Sequence, residues 1–207
     1  MAIGDGTGSG KTRFVKMNKE LGKFFIKVNE DDAGAVAHTI AMGANTGKIE
    51  HRLYFGFIEG EFTGFKTEES DYGYFYIFQI EDKEIGETYV LSLSAEDYNA
   101  RLYCLKLALA KAGDKVKLGV FKGKNEAGDS RNVGWVHING AKTGYAFDKE
   151  EVPAPDEIKN KGKKSTWNYT KVLEFFDEKV IPMLPQIGGS EEAAPSQGAK
   201  SESDLPF

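Results

Sequence analysis

The sequence is short of the residues that build most catalytic and metal centres. It has a single cysteine, Cys104, which excludes an internal disulfide and a multi-thiolate zinc site. Placed between Leu102 and Leu105, Cys104 reads as a packed thiol. The three histidines, His38, His51 and His137, stand far apart, and none has a neighbour at metal-ligand spacing. Acidic residues are plentiful but form no tight pair on an apolar strand end of the kind that serves nuclease or glycosidase chemistry. No run approaches the ~18 consecutive apolar residues of a transmembrane helix. The start, MAIGDGTGSG, lacks the basic and then apolar pattern of a secretory signal, so the reducing cytosol is the expected compartment. An excess of positive charge is missing too. The 207 residues carry a formal −5, of which the segment 188–207 holds −3 through Glu191, Glu192, Glu202 and Asp204 against Lys200. The rest is near neutral, so any nucleic-acid binding has to come from a local basic groove.

One tempting motif fails on spacing. GTGSGKT resembles a phosphate-binding loop, but that loop needs a glycine five positions before Gly10, where Asp5 stands. No apolar strand precedes it either. Residues 1–20 are expected to form a flexible N-terminal arm.

What is abundant is glycine (24) and aromatic residues (14 Phe, 9 Tyr, 2 Trp), a pairing that favours β-structure with tight turns. Strands are expected at Phe24–Val28, at 35–42 and at Ile49–Phe57. The last puts Ile49, His51, Leu53, Phe55 and Phe57 on one face, then bends through Gly60 and Gly64 to Lys66. Residues 67–71 read as a turn, Tyr72–Glu81 and Thr88–Leu93 as further strands. Ser94 reads as the N-cap of a helix carrying Tyr98, Leu102, Leu105 and Leu109 on one face and ending at Gly113. Val116, Leu118 and Val120 then alternate with Lys115, Lys117 and Gly119, and Asn132–Asn139 follows as a strand. After Pro153 and Pro155, the basic run 159–164 precedes a helix expected over Trp167–Ile181. The segment 188–207 is low in hydrophobic residues and is expected to be disordered.

This order predicts a mainly β fold: a five-stranded OB-fold barrel with a helix between its third and fourth strands, over residues 21–152. A basic linker and C-terminal helix (153–187) and an acidic tail (188–207) follow. Such barrels bind oligonucleotides and oligosaccharides.

Ten of the aromatics lie between Tyr54 and Phe78. In a strand, Tyr72, Tyr74 and Tyr76 share one face, opposite Phe75 and Ile77. A small barrel has one inside, so one row is either an exposed stacking platform for unpaired bases or is covered by the C-terminal helix or a dimer partner. Basic residues complete the expected DNA-binding set: Arg52 beside Tyr54, then Lys115, Lys117, Phe121 and Lys122, with Arg131 and Trp135 on the last strand.

The chain closes on Ser203-Asp204-Leu205-Pro206-Phe207 behind an acidic linker. A terminal ring, a proline and a carboxylate make a compact ligand for a partner pocket. With an OB-type domain in front, this tip resembles that of bacterial and phage single-stranded-DNA-binding proteins. Bacterial members end in a run of aspartates followed by Ile-Pro-Phe. Asp204, Leu205, Pro206 and Phe207 match residue by residue, with Leu for Ile, while only one aspartate directly precedes the tip. The body shows no visible match to the bacterial members, and the helix near 167–181 is extra, which points to a diverged, phage-type member working in a host cytosol. The resemblance implies coating of single-stranded DNA without sequence preference in replication, recombination or repair. It also implies recruitment of partner proteins by residues 204–207, possible homo-oligomers, and no catalysis, metal or cofactor. The alternatives are an OB-type protein- or RNA-binding module, a recombination mediator, or an enzyme whose site is assembled only by tertiary contacts.

Overall fold

The computed structural model describes residues 11–124, 128–159 and 165–187. Ten strands form one mixed sheet. In chain order they are β1 (Lys11–Asn18), β2 (Lys23–Val28), β3 (Val36–Thr39), β4 (Ile49–Phe55), β5 (Phe57–Ser70), β6 (Gly73–Asp82), β7 (Glu87–Ser94), β8 (Lys115–Lys124), β9 (Ser130–Ile138) and β10 (Ala141–Lys142). Their spatial order is β10-β9-β8-β5-β6-β7-β1-β2-β4-β3. The β1–β7 pair is parallel and every other ladder of the sheet is antiparallel. A separate hairpin joins β11 (Asp156–Ile158) to β12 (Thr166–Asn168).

The expected OB-fold barrel is overturned. The sheet is open, its end strands β10 and β3 are not paired to each other, and the central helix α1 (Tyr98–Leu107) follows the seventh strand rather than the third. Two local features account for the error. The Gly- and Lys-rich start hid β1, whose residues 11–18 are strand and not arm. Gly56 also breaks what read as one bent strand. β4 pairs with β2 and β3, while β5 pairs with β6 and β8. β5 does bend where expected: its register with β6 slips between Phe62 and Gly64. Gly64 has φ +154°, and a Cβ there would lie 2.8 Å from the Ile187 nitrogen. A side chain is excluded on both counts. The strand then runs on to Ser70, through the residues expected to turn.

The core takes the inward face of the central strands, with Phe24, Phe62, Phe65, Phe78, Ile80, Leu91, Val116 and Leu118 all fully buried. Each such side chain contributes roughly 1.5–3 kcal/mol. Helix α1 closes one side of this core. Its N-cap is Asp97, whose carboxylate accepts from the Asn99 amide at 2.9 Å, three residues beyond the expected Ser94. α1 is buried all round, including Arg101 and Lys106, because later segments cover it. The Ala146 amide donates to the Leu105 carbonyl, Lys106 Nζ donates to the Thr143 carbonyl at 2.7 Å, and Tyr169 lies against the Arg101 guanidinium.

The C-terminal helix α2 (Thr170–Phe175) continues as a wider π-turn over Phe176–Val180 and a tight turn over Ile181–Met183. Val172, Phe176 and Val180 belong to the same core as the sheet, so this segment is built into the domain. The chain then runs beside β5. The Phe65 amide donates to the Pro185 carbonyl and the Ile187 amide donates to the Phe65 carbonyl. Among the described residues, no helix is long and apolar enough to cross a membrane.

Candidate nucleic-acid interface

Phe57, Gly119 and Trp135 stand in one cross-strand row over β5, β8 and β9. Paired residues share a face, so their side chains rise on the side away from the core. A Cβ on Gly119 would run into the indole ring of Trp135, so this glycine is what lets the indole lie flat across β8. Phe57 meets Trp135 from the other side at 6.3 Å between ring centroids, and His137 flanks Trp135 at 5.0 Å. Phe57 is 44% exposed and Phe121, two residues along β8 from Gly119, is 50% exposed. Lys117 Nζ stands 3.8 Å from the Phe57 ring centroid. The result is an open aromatic floor with lysines set into it.

Glu59 tempers that positive charge. Its carboxylate lies 2.9 Å from Lys117 Nζ and 3.4 Å from Lys115 Nζ. The hydrogen bond from Lys117 holds the Glu59 carboxyl below its ordinary range despite some desolvation, so it is ionised at neutral pH. Beside this face opens a cavity of about 840 Å³. Six carboxylates line it (Glu59, Glu61, Glu81, Asp82, Glu84 and Glu87) against only Arg13, Lys83 and Lys115.

The expected site residues divide among several places. Lys115, Lys117, Phe121 and Trp135 come together on the face just described. Arg52 and Tyr54 belong to a second cluster on β2 and β4. There the Arg52 guanidinium lies 4.2 Å from the Phe25 ring centroid, and Tyr54 packs on the same ring at 5.7 Å. Arg52 is committed to Glu50, at 2.5 and 2.6 Å, and Lys27 also pairs with Glu50. Burial pushes the Glu50 carboxyl up, but hydrogen bonds from Lys27 and Arg52 outweigh it and hold it below the usual range. Lys122 lies on the opposite side of β8 from Phe121, with its stem against the β1–β2 turn at Gly22. The Arg131 guanidinium sits 5.3 Å from the Tyr98 ring of α1.

The tyrosine row is corrected. Tyr76 is fully buried, stacked on Phe176 at 6.1 Å and edge-on to Phe65, so it is closed to any base. Tyr74 is half-buried and donates to Asp177 at 3.2 Å. Desolvation raises both phenols, Tyr76 more strongly. Tyr72 is 91% exposed at the β5–β6 turn, separate from both clusters. The C-terminal helical segment covers Tyr76 and part of Tyr74, and leaves Tyr72 exposed. Residues 204–207 and the GTGSG of the start lie outside the described residues.

Phe57, His137, Gly119 and Glu59 were missed. Strict alternation carried across Gly56 groups Phe57 with Ile49, His51, Leu53 and Phe55 on one face of a single strand, whereas β4 ends at Phe55 and Phe57 opens β5. The glycine itself was the available signal that the face changes there. Among the described residues, no group of three or more His, Cys, Asp or Glu side chains is placed to hold a metal ion. No protein-family profile, curated protein or solved structure matches the chain.

Proposed function

We propose that this protein binds single-stranded DNA with little base preference, through the open face of β5, β8 and β9, and coats it during replication, recombination or repair. The observation that carries the reading is the Phe57–Gly119–Trp135 row: two rings meeting over a glycine, with Lys117 over one face of Phe57. Flat rings accept any base, and lysines beside them accept the phosphates between bases. The acidic cavity repels phosphates, so the strand runs from Trp135 toward Phe121 and away from Glu61. Residues 204–207 supply the partner-binding end of the proposal, on the strength of their sequence alone.

The test is a titration of oligo-dT and of duplex DNA at two salt concentrations, with Phe57→Ala and Trp135→Ala beside the wild type. Tighter binding to oligo-dT is expected, and each variant should lose roughly 1–3 kcal/mol per stacked base while its thermal unfolding stays close to wild type. Equal affinity for duplex and single strand, or unchanged affinity in both folded variants, would overturn the proposal.

A further inference from the structure

A second cross-strand row, Glu59–Lys117–His137, runs beside the Phe57–Gly119–Trp135 row. In it one carboxylate takes up two lysines, Lys117 at 2.9 Å and Lys115 at 3.4 Å. The same Lys117 ammonium stands 3.8 Å from the Phe57 ring centroid. It therefore caps one side of the ring and pairs with Glu59 at the same time. An anion held between two ammonium groups is also what a phosphate presents to such lysines. A base stacking on the capped side of Phe57 has to move Lys117 aside, and moving it breaks the contact with Glu59. The phosphate next to that base is the group that can receive the released ammonium.

We infer that Glu59 is a built-in competitor for the phosphate, holding Lys115 and Lys117 in the free protein until a bound strand takes them over. The inference rests on the β5–β8–β9 reading of the DNA face and adds a regulator to it. In this arrangement base stacking and phosphate contact are coupled, because Lys117 can engage a phosphate only by leaving Phe57 and Glu59. Duplex DNA, whose bases are already stacked, does not uncap Phe57 and so leaves Lys117 with Glu59. Glu59 thereby favours single strands over duplexes.

The experiment compares Glu59→Gln and Glu59→Ala with wild type on oligo-dT and on duplex across a salt series. Glu68→Gln serves as the control. It removes one charge from an exposed pair, Glu68–Lys66, further along β5. Both Glu59 variants are expected to bind oligo-dT roughly threefold to tenfold tighter. On duplex, where wild-type Lys117 stays with Glu59, their salt dependence should steepen by about 0.9 for each lysine freed, while on oligo-dT, where the wild type already yields both lysines, the slope should stay close to wild type. Duplex affinity should rise by a larger factor than oligo-dT affinity, and Glu68→Gln should behave as wild type. The inference is overturned if the Glu59 variants leave oligo-dT affinity and the duplex salt slope unchanged, or if Glu68→Gln gains as much. A wild type whose binding ignores Phe57→Ala and Trp135→Ala overturns the DNA face itself, a failure read from different variants.

Discussion

Tyr76 on β6 and Trp135 on β9 are large aromatic residues of the same sheet, and their surroundings differ in one respect. A later segment lies over Tyr76: Phe176 stacks on it, and the helical stretch from Thr170 to Met183 seals that part of the sheet. The indole of Trp135 lies over Gly119, with Phe57 and His137 at its sides. The contrast separates two uses of aromatic surface. A ring packed on all sides holds the fold together. A ring supported from below and at its edges is held in place and still offers a face.

Substitutions at these two positions and their neighbours sharpen the contrast. Tyr76→Ala should cost about 3–5 kcal/mol in denaturant unfolding, in line with other large core aromatics. Tyr76→Phe should cost nothing or stabilise slightly, because the buried hydroxyl has no hydrogen-bond partner among the described residues. A large loss in Tyr76→Phe would show that the hydroxyl is paired after all. On the open side, Gly119→Ala places a methyl group where the Trp135 ring lies. Affinity for oligo-dT should fall by roughly 1–2 kcal/mol, with a smaller loss of stability than Tyr76→Ala. Unchanged affinity would mean that the flat indole is not the binding surface.

The smallest effect belongs to Asp177, at the border of the covered region. Partial burial raises its carboxyl, opposed by the hydrogen bond from Tyr74. A raised acid opposes folding when ionised, above its ordinary range, and that opposition disappears as the pH falls through it. Asp177→Asn should therefore raise Tm slightly at pH 7, with the gain fading toward pH ~3. The Asp177 side chain is largely exposed, so solvent screening keeps the gain small. A lower Tm at pH 7 would show that the ionised form is the better partner for Tyr74.

Much of the local structure was legible in the sequence because period-two alternation reports burial directly. Val116, Leu118 and Val120 are inside as expected, and Lys115 and Lys117 are outside. Helix α1 was legible in place and type. Its all-round burial was not, because the segments that cover Arg101 and Lys106 lie some 35 to 70 residues further on. The same limit applied to the tyrosine row. Alternation grouped Tyr74 with Tyr76 correctly, but which face a helix about a hundred residues later would cover is a tertiary fact. The sheet order was illegible for a further reason. β1 carries Lys11, Arg13 and Lys16 among few apolar residues and buries only Val15, so it is a strand because it pairs with two neighbours rather than by its own composition.

That placement of β1 has a consequence during synthesis. Its antiparallel neighbour β2 follows within a few residues, but its parallel neighbour β7 begins at Glu87, 74 residues after Arg13. At ribosomal rates of about 5–20 residues per second, roughly 4–15 s pass before β7 exists. Through that interval the β1–β2 hairpin presents an unpaired edge, the kind of surface on which nascent chains stick to one another. The charges of Lys11, Arg13 and Lys16, unhelpful as signs of a strand, are well suited to keep that edge in solution until β7 arrives, when Glu87 pairs with Arg13 at 2.7 Å.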